Sequence, residues 1–217
     1  MPATSVAVAI LVAFGASSGP ALAGDDPPFV GSVSRLDRET REWMTGSSWR
    51  PGCPVLLRDL RQVKVTYVGF DGSAHRGRLV VHRRWADEIF GVFRRLYRSG
   101  FRIHRVRLVD RFGGDDHESM RHDNTSAFNC RYVAGTTTWS QHAYGRAIDI
   151  NPVENPYVQG SHVSPRRGRL FLDRDDVRPG MIVRGDVVVG SFRRIGWEWG
   201  GNWSSAKDYQ HLSSNGH

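Results

Sequence analysis

Between residues 60 and 100 the chain changes its hydrophobic period. Val63, Val65 and Tyr67 alternate with polar neighbours, Asp71-Gly72 supplies a tight-turn pair, and Leu79 with Val81 resumes the alternation. A period of two on both sides of such a turn predicts a β-hairpin. Trp85, Ile89, Val92, Phe93, Leu96 and Tyr97 then recur every three or four residues, and Gly100 stands where a helix would end. This spacing predicts an amphipathic helix over 83–99 with that stripe in the core. Val106 and Leu108 open a strand expected to end at Asp110, ahead of a polar loop over 113–124. The run Ala147-Ile-Asp-Ile150 reads as a short buried strand closed by Asn151-Pro152, and 187–195 as a helix that stops at Gly196. The period never settles into a regular βαβα alternation, and no internal repeat is present. The expectation is an α+β domain: a small antiparallel sheet with flanking helices.

The ends refine this picture. Val6 to Phe14 is an apolar run too short to span a bilayer, and Ala21-Leu22-Ala23 follows it as an A-x-A site, so residues 1–23 read as a signal peptide even though no Lys or Arg precedes the run. Residues 24–54 are rich in Pro, Gly and Ser with Trp43 and Trp49 interspersed, and are expected to form an irregular lead-in. The domain proper is placed at 55–213. The expected mature protein is a secreted, cell-wall-associated monomer with no membrane span.

The formal net charge of +8 comes almost wholly from arginine, because Lys64 and Lys207 are the only lysines. A basic exported surface can attract an anionic wall polymer, a phospholipid headgroup or nucleic acid, and charge does not choose among them. No helix-turn-helix, zinc-finger or RNA-recognition pattern accompanies the charge, so no specific nucleic acid is expected. Cys53 and Cys130 are the only cysteines. In an exported chain an even count favours a disulfide, worth roughly 4 kcal/mol for a loop of this length, with two buried thiols as the alternative.

Chemistry concentrates in Ser140-Gln-His142-Ala-Tyr-Gly145-Arg-Ala-Ile-Asp149-Ile-Asn-Pro. An aspartate between two isoleucines on a buried strand must be compensated by a partner or a cation. His142, across a turn that Gly145 permits, and His211, in Asp208-Tyr-Gln-His211, would complete a three-ligand zinc site with one open position, as catalytic zinc requires. Spacing alone leaves this open against satisfied polar residues.

The motif Ser140-x-His142-x-x-Gly145-x-Ala147-x-Asp149, continuing into Asn151-Pro152-x-x-Asn155-Pro156-Tyr157, resembles the signature of the D-alanyl-D-alanine carboxypeptidase family of zinc peptidases, in particular its branch with L-alanyl-D-glutamate endopeptidases. Gly69-Phe-Asp-Gly72, Asp115-Asp116, Asn124-Thr-Ser-Ala-Phe-Asn129-x-Arg131 and Gly196-Trp-x-Trp199-Gly-Gly201-x-Trp203 are also similar to that branch, in order, over about 55–213. The resemblance implies His142, Asp149 and His211 as zinc ligands, Asp208 as the acid/base carboxylate and Arg131 as the residue facing the substrate carbonyl. It implies a peptidoglycan stem peptide as substrate and the fold shared with the hedgehog signalling domain. A catalytically silent, zinc-containing wall-binding module is the alternative.

Other residues stay open on sequence. Glu198 competes with Asp208 as base, while Ser140 is expected to support the site by hydrogen bonding rather than attack. Trp199 and Trp203 are either cleft wall or core, with Gly200 and Gly201 permitting close approach of a peptide backbone. His117 or His162 is a candidate for the cleft lining. The remaining histidines are read as surface residues without carboxylate partners. Asp115 and Asp116 are expected to cap the helix after them rather than bind a second cation.

Overall fold

The computed structural model describes residues 27–216. The expected signal peptide lies outside them. Among the described residues, three small antiparallel sheets replace the single sheet expected and four α-helices surround them, so the α+β class holds.

The first sheet has the order β1-β2-β3, from Ser32–Arg35, Leu60–Val68 and Ala74–His82. The last two form the predicted hairpin, with Val63 opposite Leu79 and Asp71-Gly72 in the connection. The strands are rich in β-branched residues, which suit a pleated surface packed against neighbours. Helix α2, Ala86–Arg98, lays Ile89, Val92, Phe93 and Leu96 on the inner face of this sheet against Val63, Val65, Leu79 and Val81. Arg95 and Arg98 occupy its last turn, where positive charge complements the helix dipole. Helix α4, Val187–Arg193, packs beside α2 and buries Phe192 against Trp197. Asp186 caps α4 by accepting from the Val189 amide at 2.8 Å.

Two expectations fail here. The lead-in over 24–54 is not irregular throughout: it supplies β1 and helix α1, Arg38–Met44, which is capped by Asp37. Leu36 and Met44 cover the outer face of the first sheet together with Leu60, Val80, Leu108 and Phe128, and Gln62 donates to Thr40 Oγ1 at 3.1 Å beneath them. The strand expected from Val106 to Asp110 is reduced to one bridge, Val106 to Thr125, followed by a 3-10 turn over Val109–Phe112. Asp110 is what turns the chain: its carboxylate accepts from the Ser48 amide at 3.1 Å and the Ser48 hydroxyl at 3.0 Å. Extended pairing there would take those bonds away. Cys53 and Cys130 form a disulfide across 77 residues, fastening the segment after α1 to the segment before the chemistry-bearing motif.

The second sheet, β4-β9-β7, is built from Ala147–Asp149, His211–Ser213 and Glu198–Trp199; the third, β6-β5-β8, from His162–Ser164, Tyr157–Gln159 and Lys207–Asp208. Asn151 and Asn155 join them. The Asn151 amide donates to the carbonyls of Arg102 at 2.8 Å and Gly180 at 3.0 Å, and its Oδ1 accepts from the His104 amide at 3.0 Å. The Asn155 Oδ1 accepts from the Ile182 amide at 2.7 Å. These asparagines satisfy buried backbone groups where the chain leaves β4, which is why a polar pair stands in the core there. Among the described residues no helix is long and apolar enough to cross a membrane.

Candidate metal centre and cleft

Each of the three expected ligands is delivered by a separate element. Asp149 ends β4 and His211 begins β9, and the two are Cα partners in the antiparallel pairing. A second bridge holds the other edge of β4, where the Asp149 amide donates to the Ser126 carbonyl at 2.9 Å and its carbonyl accepts from the Ser126 amide at 3.0 Å. His142 lies in a 3-10 turn, Gln141–Tyr144, opened by the Ser140 hydroxyl accepting from the His142 amide at 3.3 Å. Ser140 thus supports the site through its hydrogen bond. Gly145 closes the turn at φ 64°, and a Cβ there would stand 2.6 Å from the His82 amide nitrogen. Only glycine meets both demands.

The three side chains converge. His142 Nε2 lies 3.1 Å from Asp149 Oδ2, His211 Nδ1 lies 3.0 Å from Asp149 Oδ1, and the two imidazole nitrogens are 3.3 Å apart. One donor atom from each fits within 4.8 Å of the others. Donors about 2.0–2.1 Å from a tetrahedral ion are separated by about 3.3 Å, so this spacing suits zinc. The other nitrogen of His142, Nδ1, is 2.5 Å from the Ala127 carbonyl, which selects the tautomer with its proton there and leaves the Nε2 lone pair pointing at Asp149 and His211. All three residues are buried. Burial opposes ionisation of Asp149, but the neighbouring His142 and His211 outweigh it and hold the carboxyl well below the usual carboxylate range. A buried carboxylate flanked by two imidazoles offers three donor atoms of the kinds that hold zinc, and a cation there would take over the compensation the imidazoles provide.

Asp208 is set beside this group by β8, whose Asp208 is the register partner of Tyr157 in β5. Its Oδ1 is enclosed and has no hydrogen-bond partner. Burial pushes its carboxyl up to about 7; His211 and Arg131 pull the other way, and the carboxylates of Asp149 and Asp116 reinforce the rise. The approach depends on Gly200, where a Cβ would sit 2.6 Å from the Asp208 carbonyl oxygen. The glycine expected to admit a substrate backbone therefore admits the protein's own. Gly201 likewise packs against the indole of Trp199.

A cleft of about 650 Å³ opens over these residues. Arg131 lines it, with Nη2 2.9 Å from Asp116 Oδ2 and Nε enclosed without a partner. Asp115 caps helix α3, Asp116–Arg121, by accepting from the Glu118 amide at 2.9 Å; Asp116 does not cap but pairs with Arg131. His117, His162 and Trp203 line the cleft. Trp199 is core: its Nε1 donates to the Tyr209 carbonyl at 2.8 Å. Glu198, the other carboxylate considered as a base, is exposed and does not line the cleft. Three histidines read as unpaired have carboxylate neighbours: His75 with Asp71 at 3.0 Å, His122 with Glu118 at 2.9 Å and His104 with Asp123 at 3.7 Å. Gln210 escaped sequence reasoning altogether. It is buried in the lining with Oε1 unpartnered, and its place between Tyr209 and His211 is the one signal that pointed to it.

Residues 134–214 match the family described as D-alanyl-D-alanine carboxypeptidase. The match spans less than half of the 217 residues, contains His142, Asp149, Asp208 and His211, and begins beyond Arg131. It supports the family resemblance carried by the motifs, that of zinc peptidases acting on peptidoglycan. No curated protein and no solved structure matches the chain.

Proposed function

We propose that this protein is an exported zinc peptidase that hydrolyses one peptide bond of the peptidoglycan stem, either the terminal D-alanyl-D-alanine bond or the bond between L-alanine and D-glutamate. The observation that supports it best is a coincidence inside the family-matched segment. Three donor atoms lie within 4.8 Å of one another beside a carboxylate, Asp208, with an unpartnered oxygen and a pKa of about 7. A carboxylate poised near the working pH is what a general base and acid requires. The fold assignment, that of the group including the hedgehog signalling domain, rests on the order of the motifs over 55–213.

His142, Asp149 and His211 would hold the zinc, which supplies Lewis acidity toward the scissile carbonyl and lowers the pKa of water to about 7. Asp208 takes the proton of the attacking water on Oδ1 and returns it to the leaving amine. Arg131, oriented by Asp116, donates to the carbonyl oxygen as negative charge develops, a contribution on the order of 3 kcal/mol for such a donor. Water adds, the C–N bond breaks, and a carboxylate and an amine leave without any covalent bond to the protein.

Digestion of purified peptidoglycan, with chelator and after zinc is restored, tests the proposal. The expected result is zinc-dependent release of amino groups, with fragment masses naming the bond. No release under any metal condition overturns it. An Asp208→Ala variant that binds zinc and matches the parent in every assay would favour the silent wall-binding module instead.

A further inference from the structure

Away from the cleft, the outer face of the first sheet emerges from beneath α1 into a groove of about 420 Å³. Its lining includes Lys64, Arg76, Arg78, Arg107 and Arg111, and no acidic residue. The register sharpens this charge. Lys64 of β2 is the direct cross-strand partner of Arg78 of β3, and Arg76 is paired with Thr66 on the same face. Like charges placed opposite each other across a sheet destabilise it. Among the described residues none of the five cations is in an ion pair. The acid that feels them is Asp37, which is held below the usual carboxylate range first by its Thr40 hydrogen bonds and then by the fields of Lys64 and Arg78. It is occupied as the cap of α1.

Two of the cations are also held in place. The Arg78 guanidinium lies over the Trp43 ring at 5.0 Å, and Arg107 Nη1 donates to the Arg76 carbonyl at 2.9 Å. A folded domain that lines one groove with five cations outside any ion pair, two of them anchored, is complementary to a multivalent anion.

We propose that this groove binds a linear phosphodiester polymer of the cell wall, of the polyol-phosphate class. The spread of charge over β2, β3 and the segment 107–111 suits successive phosphates along a chain rather than one ion, and arginine forks suit phosphate oxygens. Nucleic acid is disfavoured on the same surface: Trp43 is the one aromatic ring in the lining and Arg78 already lies over it, so the groove has no row of rings on which successive bases could stack. Complementarity to a polyanion follows from the groove alone, whereas the choice of a wall phosphodiester rests on the peptidase reading. Arg111 borders the groove and Asp116 lines the cleft on one short stretch of chain, so a tethered wall strand would keep stem peptides near the metal centre.

Binding of poly(glycerol phosphate), phosphate-free dextran and a thymidine oligonucleotide of matched charge, measured over a range of salt, tests this. The expected order is poly(glycerol phosphate) above oligonucleotide, with no dextran binding. Lys64→Gln with Arg78→Gln should weaken polymer binding by about tenfold and reduce the log–log salt slope by about 1.4, at about 0.7 for each phosphate no longer neutralised. The same charge removed elsewhere, by Arg166→Gln with Arg167→Gln, should change affinity less than about threefold. Equal loss in both double variants, or oligonucleotide binding as tight as polymer binding, overturns the proposal. Cleavage of a soluble stem peptide should be the same in all variants; if the parent cleaves none, the peptidase reading fails while the binding series still decides the groove.

Discussion

Asp149 and His211 face each other as register partners across β4 and β9, with Oδ1 and Nδ1 3.0 Å apart. Because the pairing is between backbones, their distance is fixed by the sheet before any ion arrives. Asp149→Asn keeps the shape but removes the charge and replaces one of the two oxygens facing His142 and His211 with a donor. It should lower zinc affinity by more than the roughly 10–100-fold that follows from losing an outer partner of a ligand. Titration against a competing chelator checks this, and the second sheet should remain intact by circular dichroism.

Asp208 must be ionised to accept a proton. Its carboxyl is raised by burial to about 7, so the acid limb of kcat/KM should follow its ionisation: activity rises as pH increases through the limb and is lost below it. A cation held by His142, Asp149 and His211 adds positive charge beside it, placing the limb at or below 7. Asp208→Asn should abolish the limb and reduce turnover by about 10²–10⁴-fold while leaving zinc content unchanged. A limb that survives in the variant belongs to another group.

Gly200→Ala tests the positioning of that base by the backbone. The added methyl meets the Asp208 carbonyl oxygen at 2.6 Å and its Cβ at 2.9 Å, so β8 must shift. A displacement of about 1 Å at a reacting group costs about 10²-fold in rate. Turnover should fall by that order with zinc stoichiometry preserved, because the three ligands lie on other elements. Loss of zinc together with activity would show that the strand shift spreads into the second sheet.

Glu154, buried near Asp123, provides a pH signature unrelated to the cleft. Burial, followed by the charge of Asp123, raises its carboxyl from 4.5 to about 8. The folded state therefore binds a proton that the unfolded state releases between those values. The protonated carboxyl is compatible with folding below about 4.5, and stability is lost as pH rises toward 8. Glu154→Gln should flatten this slope, with the gain in thermal stability over the parent greatest at the alkaline end. Melting temperatures at fixed ionic strength across the window check it.

The sequence carried the site further than the fold. His142, Asp149, Asp208 and His211 sit in motifs whose spacing survives translation into space, and the β2–β3 hairpin and α2 were legible because their periods are long and clean. Short elements were not. β1 alternates only weakly, and its extended form depends on pairing with β2 and on Val33 reaching the core. The stretch 106–110 has strand periodicity, yet Asp110 is drawn into a turn by Ser48, sixty-two residues away. Asp116 and Asp115 look alike in sequence, and only the direction of the first turn of α3 sends one to cap and the other to Arg131. Trp199 and Trp203 are likewise indistinguishable until the sheet assigns one inward and one to the cleft.

The Cys53–Cys130 bond has a consequence for how this domain can be divided. Arg131 follows immediately on Cys130, whose amide and carbonyl are both claimed from the far end of the chain, by the Ser48 carbonyl and the Arg50 guanidinium. His142, Asp149 and His211 belong to the C-terminal stretch, but Arg131, which lines the same cleft, follows a residue moored to residues 48–53. A fragment trimmed to the family-matched stretch would retain every metal donor and lose the mooring along with Arg131 itself. Under the proposed roles, the metal donors come from residues 142–211, while the placement of the arginine that would stabilise charge depends on residues 48–53, joined to its neighbour by one covalent link.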